Sequence, residues 1–251
     1  ESEIANIGRY LPQGIQERKK EIRSFMPRYG CINERKNQLH EVIRLSGMNI
    51  VIDDTDHPLI IKVASIQAAR MQVYFIDNDD YFHNRQMTAD EQGNDYCDND
   101  ERAIFFARGV LETVKKLRWA PDVIHCQGWI SHILPLYLKK AYKDDPIFSN
   151  SKVVLSLYND APDTFPEDFK DKIVFGGVTK DDVEILTDPT GINLAKLAAD
   201  HSDAIIFGSD NIPQELADYC NNSGLPVLPF NASALEDGTY IDEYNSFYDQ
   251  L

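Results

Sequence analysis

The chain has 251 residues, 43% of them apolar and 26% charged, which supplies one hydrophobic core and sits near the upper size for a single domain. Forty-one acidic residues against twenty-five basic ones leave a formal charge of −16, a field that repels phosphate backbones and anionic lipid and argues against nucleic acid or a membrane as partner. No run approaches the ~20 apolar residues of a membrane span, and ESEIANIGRY lacks the regions of a signal peptide, so a soluble, cytoplasmic domain spanning residues 1–251 is expected.

Ile4, Ile7, Leu11 and Ile15 recur at helical spacing, and the basic run Arg18-Lys19-Lys20 suits the carboxyl end of that helix. Residues 21–26 alternate as a short strand closed by Pro27. Residues 48–52 and 59–66 read as two strands around a turn-rich stretch at 53–58, and residues 71–76 as a third, together a hairpin-like addition to a sheet. Two acidic clusters, Asp53-Asp54-Thr55-Asp56-His57 and Asp77-Asn78-Asp79-Asp80, lack the glycine and distal glutamate of a calcium loop and read as solvated loop acids.

Asp98 to Asp100 opens a strong helix, ERAIFFARGVLETVKKL, whose early acids and late lysines complement the helix dipole. The short apolar run Val123-Ile124 follows, then a helix over residues 129–143, a strand over 152–158 and a further strand over 204–207. A helix over 213–220 comes next, and the aromatic, amphipathic stretch 241–251 is expected to pack back on the body. Cys31, Cys97, Cys126 and Cys220 are far apart, show no metal spacing and read as reduced thiols. No metal and no cofactor is expected.

Strands that are apolar throughout, alternating with helices, predict a three-layer α/β fold: a Rossmann-like parallel sheet with helices on both faces. Ligands of such sheets bind beyond the carboxyl ends of the strands, which singles out residues 26–30, 125–129, 158–160 and 208–210. There His125 and Gln127 could meet a ligand beside free helix N–H groups, although a lone strand-end histidine is more often structural. Trp129 could offer a flat face to a sugar ring or simply pack. Asn159 could serve a sugar hydroxyl with a donor and an acceptor, or Tyr158-Asn159-Asp160 could be only a turn.

Four separated segments carry a resemblance: FMPRYG (25–30), GNDYCDNDERAIFFARGVLE (93–112), PDVIHCQGWISHILPLYLKKAY (121–142) and SLYND (156–160). In order and spacing they resemble the glycogen and starch synthases, retaining glycosyltransferases of the GT-B type that add glucose from ADP-glucose to an α-1,4-glucan. The resemblance implies that Tyr96 and Asn99, Arg102 on the long helix, His125, Trp129 and Asn159 keep family positions. It also implies an α-glucan or maltooligosaccharide as partner, with ADP-glucose and a separate donor-binding protein as further candidates.

The departures bear on the chemistry. The family's K-x-G-G-L aligns with Ser2-Glu3-Ile4 and places its lysine before residue 1, its H-x-H-D-W-H becomes His125-Cys126-Gln127-Gly128-Trp129-Ile130, and Tyr158 stands where the family has the histidine expected at the reacting glucose. The alignment also sets the family's first strand upstream of Glu1 and its donor-binding domain outside residues 1–251. The expected function is therefore a glycogen/starch-synthase-like glucosyltransferase domain, using ADP- or UDP-glucose, weak or inactive as an isolated chain. The alternatives are a non-catalytic α-glucan-binding or regulatory protein of glycogen metabolism, and an interaction module with no sugar site.

Overall fold

The computed structural model describes residues 2–251. Helix α1 (Glu3–Glu17) is capped by Ser2, whose hydroxyl accepts from the Ala5 N–H at 3.2 Å, and it is closed by Arg18, which donates to Gly14 O at 2.7 Å. Strands β1 (Ser24–Pro27), β2 (His40–Glu41), β3 (Asn49–Ile52), β4 (Thr55–Pro58), β5 (Ile60–Ile66) and β6 (Met71–Asp77) follow before the long helix α2 (Asn99–Leu117). The second half alternates: β7 (Val123–Gln127), α3 (Leu134–Lys140), β8 (Lys152–Leu157), α4 (Phe169–Lys172), α5 (Gly191–Asp200), β9 (Ala204–Phe207), α6 (Gln214–Asn221), β10 (Val227–Leu228), α7 (Ala232–Asp237) and α8 (Tyr240–Asp249).

The strands form one all-parallel sheet in the order β10-β9-β8-β7 and one mixed sheet in the order β1-β6-β5-β2, with β3-β4 a separate hairpin. In the mixed sheet β1 runs parallel to β6, while β5 runs antiparallel to both β6 and β2. The alternation of side chains splits the parallel sheet between two cores. Cys126, Val153, Leu155, Leu157 and Ile205 join residues of α2, α3 and α5 in the larger core. Val154, Ala204 and Ile206 meet Ile7, Leu11 and Ile15 of α1 and Tyr240, Tyr244 and Phe247 of α8 in the smaller one. This is the helix–sheet–helix sandwich expected of strands with no polar face. The carboxyl-terminal stretch packs back as predicted.

Three local expectations are corrected. The turn-rich stretch 53–58 is mostly a strand: Asp53 and Asp54 take φ values of 51° and 60° and turn the chain in two residues, so β4 pairs with β3 from Thr55 to Pro58. Asp77 is no solvated acid but fully buried, with Lys62 Nζ at 2.8 Å and Arg28 Nε at 3.3 Å. His57 of β4 is buried too, its Nε2 2.9 Å from the Tyr81 hydroxyl, which in turn donates to Glu101. The helix expected over 129–143 breaks into a 3₁₀ turn at Trp129–Ser131 and the shorter α3.

The loop from Asn78 to Asp98 has little regular structure and is tied to α2 by Arg102. This side chain is fully buried. Its guanidinium donates to Tyr81 O (2.9 Å), Gln86 O (2.6 Å), Met87 O (3.0 Å) and Asn99 Oδ1 (2.8 Å), between the rings of Phe82 and Tyr96. Arg102→Met would leave those four acceptors without their donor, and unpaired buried acceptors cost roughly 1–3 kcal/mol each before relaxation. Urea unfolding followed by Trp fluorescence is expected to show a loss of at least about 3 kcal/mol; a loss under about 1 kcal/mol would mean that the loop holds itself.

Candidate functional site

The carboxyl ends of β7, β8 and β9 lie side by side, and the residues beyond them form the candidate site. β7 continues to Gln127, pairing with β8 along its whole length, so His125 and Gln127 are strand residues rather than members of a ligand loop. That corrects the expectation for both. His125 Nδ1 lies 2.6 Å from the Tyr248 hydroxyl of α8, and Nε2 lies 2.6 Å from Ser156 Oγ on β8. Burial pushes its imidazole down to about 3, so the ring is neutral near pH 7 and both nitrogens are occupied internally.

Tyr158 is buried, and its hydroxyl donates to Gln127 Oε1 at 2.9 Å. The ring lies against Gly208, where a Cβ would overlap it. Burial raises this phenol well above its ordinary range, so it acts as a donor and never as a base near neutrality. Trp129 is buried as well, its indole N–H bonded to Thr88 Oγ1 at 3.0 Å and its ring 5.9 Å from Phe165. Of the two roles open to Trp129, packing is the one seen. Asn99, 1% exposed, donates to Thr88 O and accepts from Arg102.

Asn159 is exposed at the end of β8. Tyr96 is half-buried, its hydroxyl accepting from the Gln86 N–H at 2.9 Å and its ring stacked under Arg85, 4.3 Å from the guanidinium carbon. Asp160 adds an acid: Oδ2 accepts from the Trp129 N–H at 3.1 Å, while Oδ1 is buried without a partner. Burial raises its pKa against the opposing pull of that N–H. Gly128 reaches φ 80°, and a Cβ there would stand 3.0 Å from Ile4 and 3.2 Å from Asp160, so the turn between β7 and Trp129 needs a glycine.

The structure thus gathers His125, Gln127, Tyr158 and Asn159 at one end of the sheet, with Trp129 packed beside them, Tyr96 on the loop that Arg102 holds and Asn99 at the start of α2. Nothing in the local sequence pattern marks Thr88, Ser156 or Tyr248, whose hydroxyls occupy the polar atoms of two candidate residues, His125 and Trp129; such partners lie 31 to 123 residues away in the chain. Among the described residues no cluster of three or more His, Cys, Asp or Glu is placed to hold a metal ion, and no helix is long and apolar enough to cross a membrane.

The family model of the starch synthase catalytic domain matches residues 2–226, and the chain belongs to that family. Curated relatives include the glycogen synthase of Chlorobium limicola, 40% identical over 159 residues, which is 63% of this chain and 32% of that protein. The glycogen synthase of Chlorobaculum tepidum is 33% identical over 220 residues, 86% of this chain and 44% of the relative. The chain therefore spans between a third and a half of the relatives it matches. Among solved structures, the catalytic domain of Starch Synthase IV from Arabidopsis thaliana, bound to ADP and acarbose, superposes with a TM-score of 0.62 at 14% identity, covering 82% of this chain and 41% of that one. That likeness establishes a shared fold.

Behind the site His132 is 2% exposed with neither ring nitrogen hydrogen-bonded, and burial lowers its pKa to about 4. Its folded pKa lies below the unfolded value of about 6.5, so the unfolded chain binds the extra proton, and this stability is complete above pH ~6.5 and lost as the pH falls toward 4. His132→Leu removes the group. In urea titrations at pH 7.5 and 4.5, the variant is expected to lose roughly 2 kcal/mol less than the parent over that interval; equal losses would show that His132 is already protonated or solvated.

Proposed function

We propose that this domain binds α-glucan chains across the carboxyl end of its parallel sheet, through Asn159 and Tyr96, and that by itself it is weak or inactive in glucosyl transfer from ADP- or UDP-glucose. The observation that carries this reading is the state of Tyr158. It stands at the position of the family's histidine, buried and bonded to Gln127, and a phenol held so far above neutrality supplies no general base. His125 is likewise neutral and occupied at both nitrogens. Transition-state stabilisation needs polar groups aimed at the reacting centre, and here those groups are turned on one another.

Asn159 differs from them in being exposed. Its amide offers a donor and an acceptor to sugar hydroxyls, and the half-buried Tyr96 ring lies on the loop that borders the site. The net charge of −16 disfavours a sugar nucleotide more than a neutral glucan. A second reading, glucosyl transfer completed by a donor-binding domain elsewhere in a longer protein or in a separate partner, is favoured by the family match over residues 2–226.

Purified protein incubated with radiolabelled ADP-glucose or UDP-glucose and a maltooligosaccharide primer is expected to give no elongation above a no-enzyme control. Elongation by the chain alone would sink the weak-or-inactive reading. In calorimetric titration with maltoheptaose, Asn159→Ala is expected to weaken binding about fivefold, the value of one hydrogen bond near 1 kcal/mol. Absence of any binding heat would favour an interaction module without a sugar site.

A further inference from the structure

The amino ends of β1 and β6 border a cleft of about 510 Å³, and none of the residues that line it belongs to the candidate site. Regular structure sets its walls. β1 and β6 run parallel, with Ser24 opposite Val73, and Phe25 stacks on Tyr74 with ring centres 5.2 Å apart. The turn from β5 into β6 forms a further wall, tied to α1 by Gln16 Nε2, which donates to Ala69 O at 3.0 Å.

The lining is rich in donors that the fold does not use. Arg23, one residue ahead of β1, stacks over the Trp119 ring at 4.7 Å, which fixes the plane of the guanidinium and leaves its edge for other partners. That edge is unsatisfied: Nη1 is buried and makes no hydrogen bond, and its acidic neighbour is the exposed Glu21, 3.4 Å away. Arg70 closes the β5–β6 turn on the same cleft, and among the described residues its guanidinium makes neither a hydrogen bond nor an ion pair. Gln72 Oε1 accepts from the Tyr74 hydroxyl at 3.3 Å, which leaves the amide N–H groups of Gln72 to donate elsewhere. Two guanidinium groups therefore face one carboxylate, a local positive excess in a chain whose net charge is −16.

These groups define the chemistry of an occupant. A buried donor without a partner burdens the fold until an acceptor reaches it, and planar guanidinium forks match the oxygens of a phosphate or carboxylate. Glu21 is exposed and screened by solvent, so the two arginines set the local charge and a dianion matches it. Ile22, Ile66, Met71 and Tyr74 add an apolar wall beside the donors. The volume lies within the about 300–1,000 Å³ of small-molecule sites and far exceeds what a bare phosphate ion fills. The occupant carries an organic body.

We propose that this cleft binds a small phosphomonoester, its phosphate held by Arg23, Arg70 and the Gln72 amide and its organic body lying against Ile22, Ile66, Met71 and Tyr74. The site is separate from the glucan surface beyond β8, and it stands whether or not that surface binds sugar.

The two tryptophans of the chain separate the two places: Trp119 lies under Arg23, and Trp129 lies beside the candidate site. Their indole N–H signals, assigned with Trp119→Phe, are followed by NMR at about pH 8, where a phosphomonoester is a dianion. Glycerol 3-phosphate is the probe, with inorganic phosphate and succinate as comparisons. A saturable shift of the Trp119 signal at millimolar glycerol 3-phosphate is expected, with Trp129 unmoved. Arg70→Ala, a change at an exposed side chain, is expected to weaken binding at least about tenfold, and Arg70→Lys to weaken it less. Glu21→Gln is expected to tighten binding about threefold. Absence of a saturable Trp119 shift up to about 50 mM probe would overturn the inference. So would a Trp129 shift that follows the same curve, inorganic phosphate or succinate binding as tightly as glycerol 3-phosphate, or an affinity that neither Arg70→Ala nor Glu21→Gln changes.

Discussion

The buried guanidinium of Arg102 is the constraint on which the site end of the molecule depends. A charge this deep has no carboxylate bonded to it; three backbone carbonyls and one side-chain amide satisfy it instead. Burial lowers its pKa to about 10, which still leaves it charged near neutrality. The arrangement turns a desolvation penalty into order, because a planar fork of donors can be satisfied in few geometries. Each carbonyl it captures belongs to the loop after β6, so α2 and that loop become one unit. Thr88 on the same loop then accepts from the Trp129 indole, and the turn after β7 is fixed in its place.

A second network adjoins it through Tyr81, whose carbonyl accepts from Arg102. Lys172 of α4 lies 2.7 Å from Asp100 and 3.2 Å from Glu101, and Glu101 accepts from the Tyr81 hydroxyl that also meets His57. Burial pulls the lysine down, but the two carboxylates outweigh it and hold the ammonium well above its ordinary range, while the Asp100 carboxyl is raised by its own burial. Removing either partner of such a buried pair leaves an uncompensated charge, so the network acts as a specification of geometry more than as a source of net stability. It positions the amino end of α2 and, through it, Arg102.

Much of this was legible in the sequence because it is written in local periodicity. The helical repeat from Ile4 to Ile15 and the capped amphipathic run of α2 report one face each, and the uninterrupted apolar strands report burial on both. The β3-β4 turn was also legible in retrospect, since adjacent aspartates tolerate positive φ in a two-residue hairpin turn. What local pattern could not carry was pairing across the fold. Asp77 looks like a loop acid until Lys62 and Arg28 are brought to it. Nor does the short apolar run Val123-Ile124 reveal that its strand goes on to Gln127; the ladder with β8 decides that, and it makes His125 a bonded strand residue.

The same distinction separates family membership from chemistry at this site. Of the motif positions that survive, His125, Trp129, Asn99 and Arg102 have internal partners, which the fold itself requires, while Asn159 is exposed. The positions that differ from the family, Gln127, Gly128 and Tyr158, are those whose polar groups would have to remain unpaired until a ligand arrives. A group kept free in that way costs stability while the site is empty. Tyr158 removes that cost at a stroke, by filling the space beside Gly208 and bonding Gln127. A sheet end relieved of this obligation can retain its fold while Asn159 stays exposed just beyond β8.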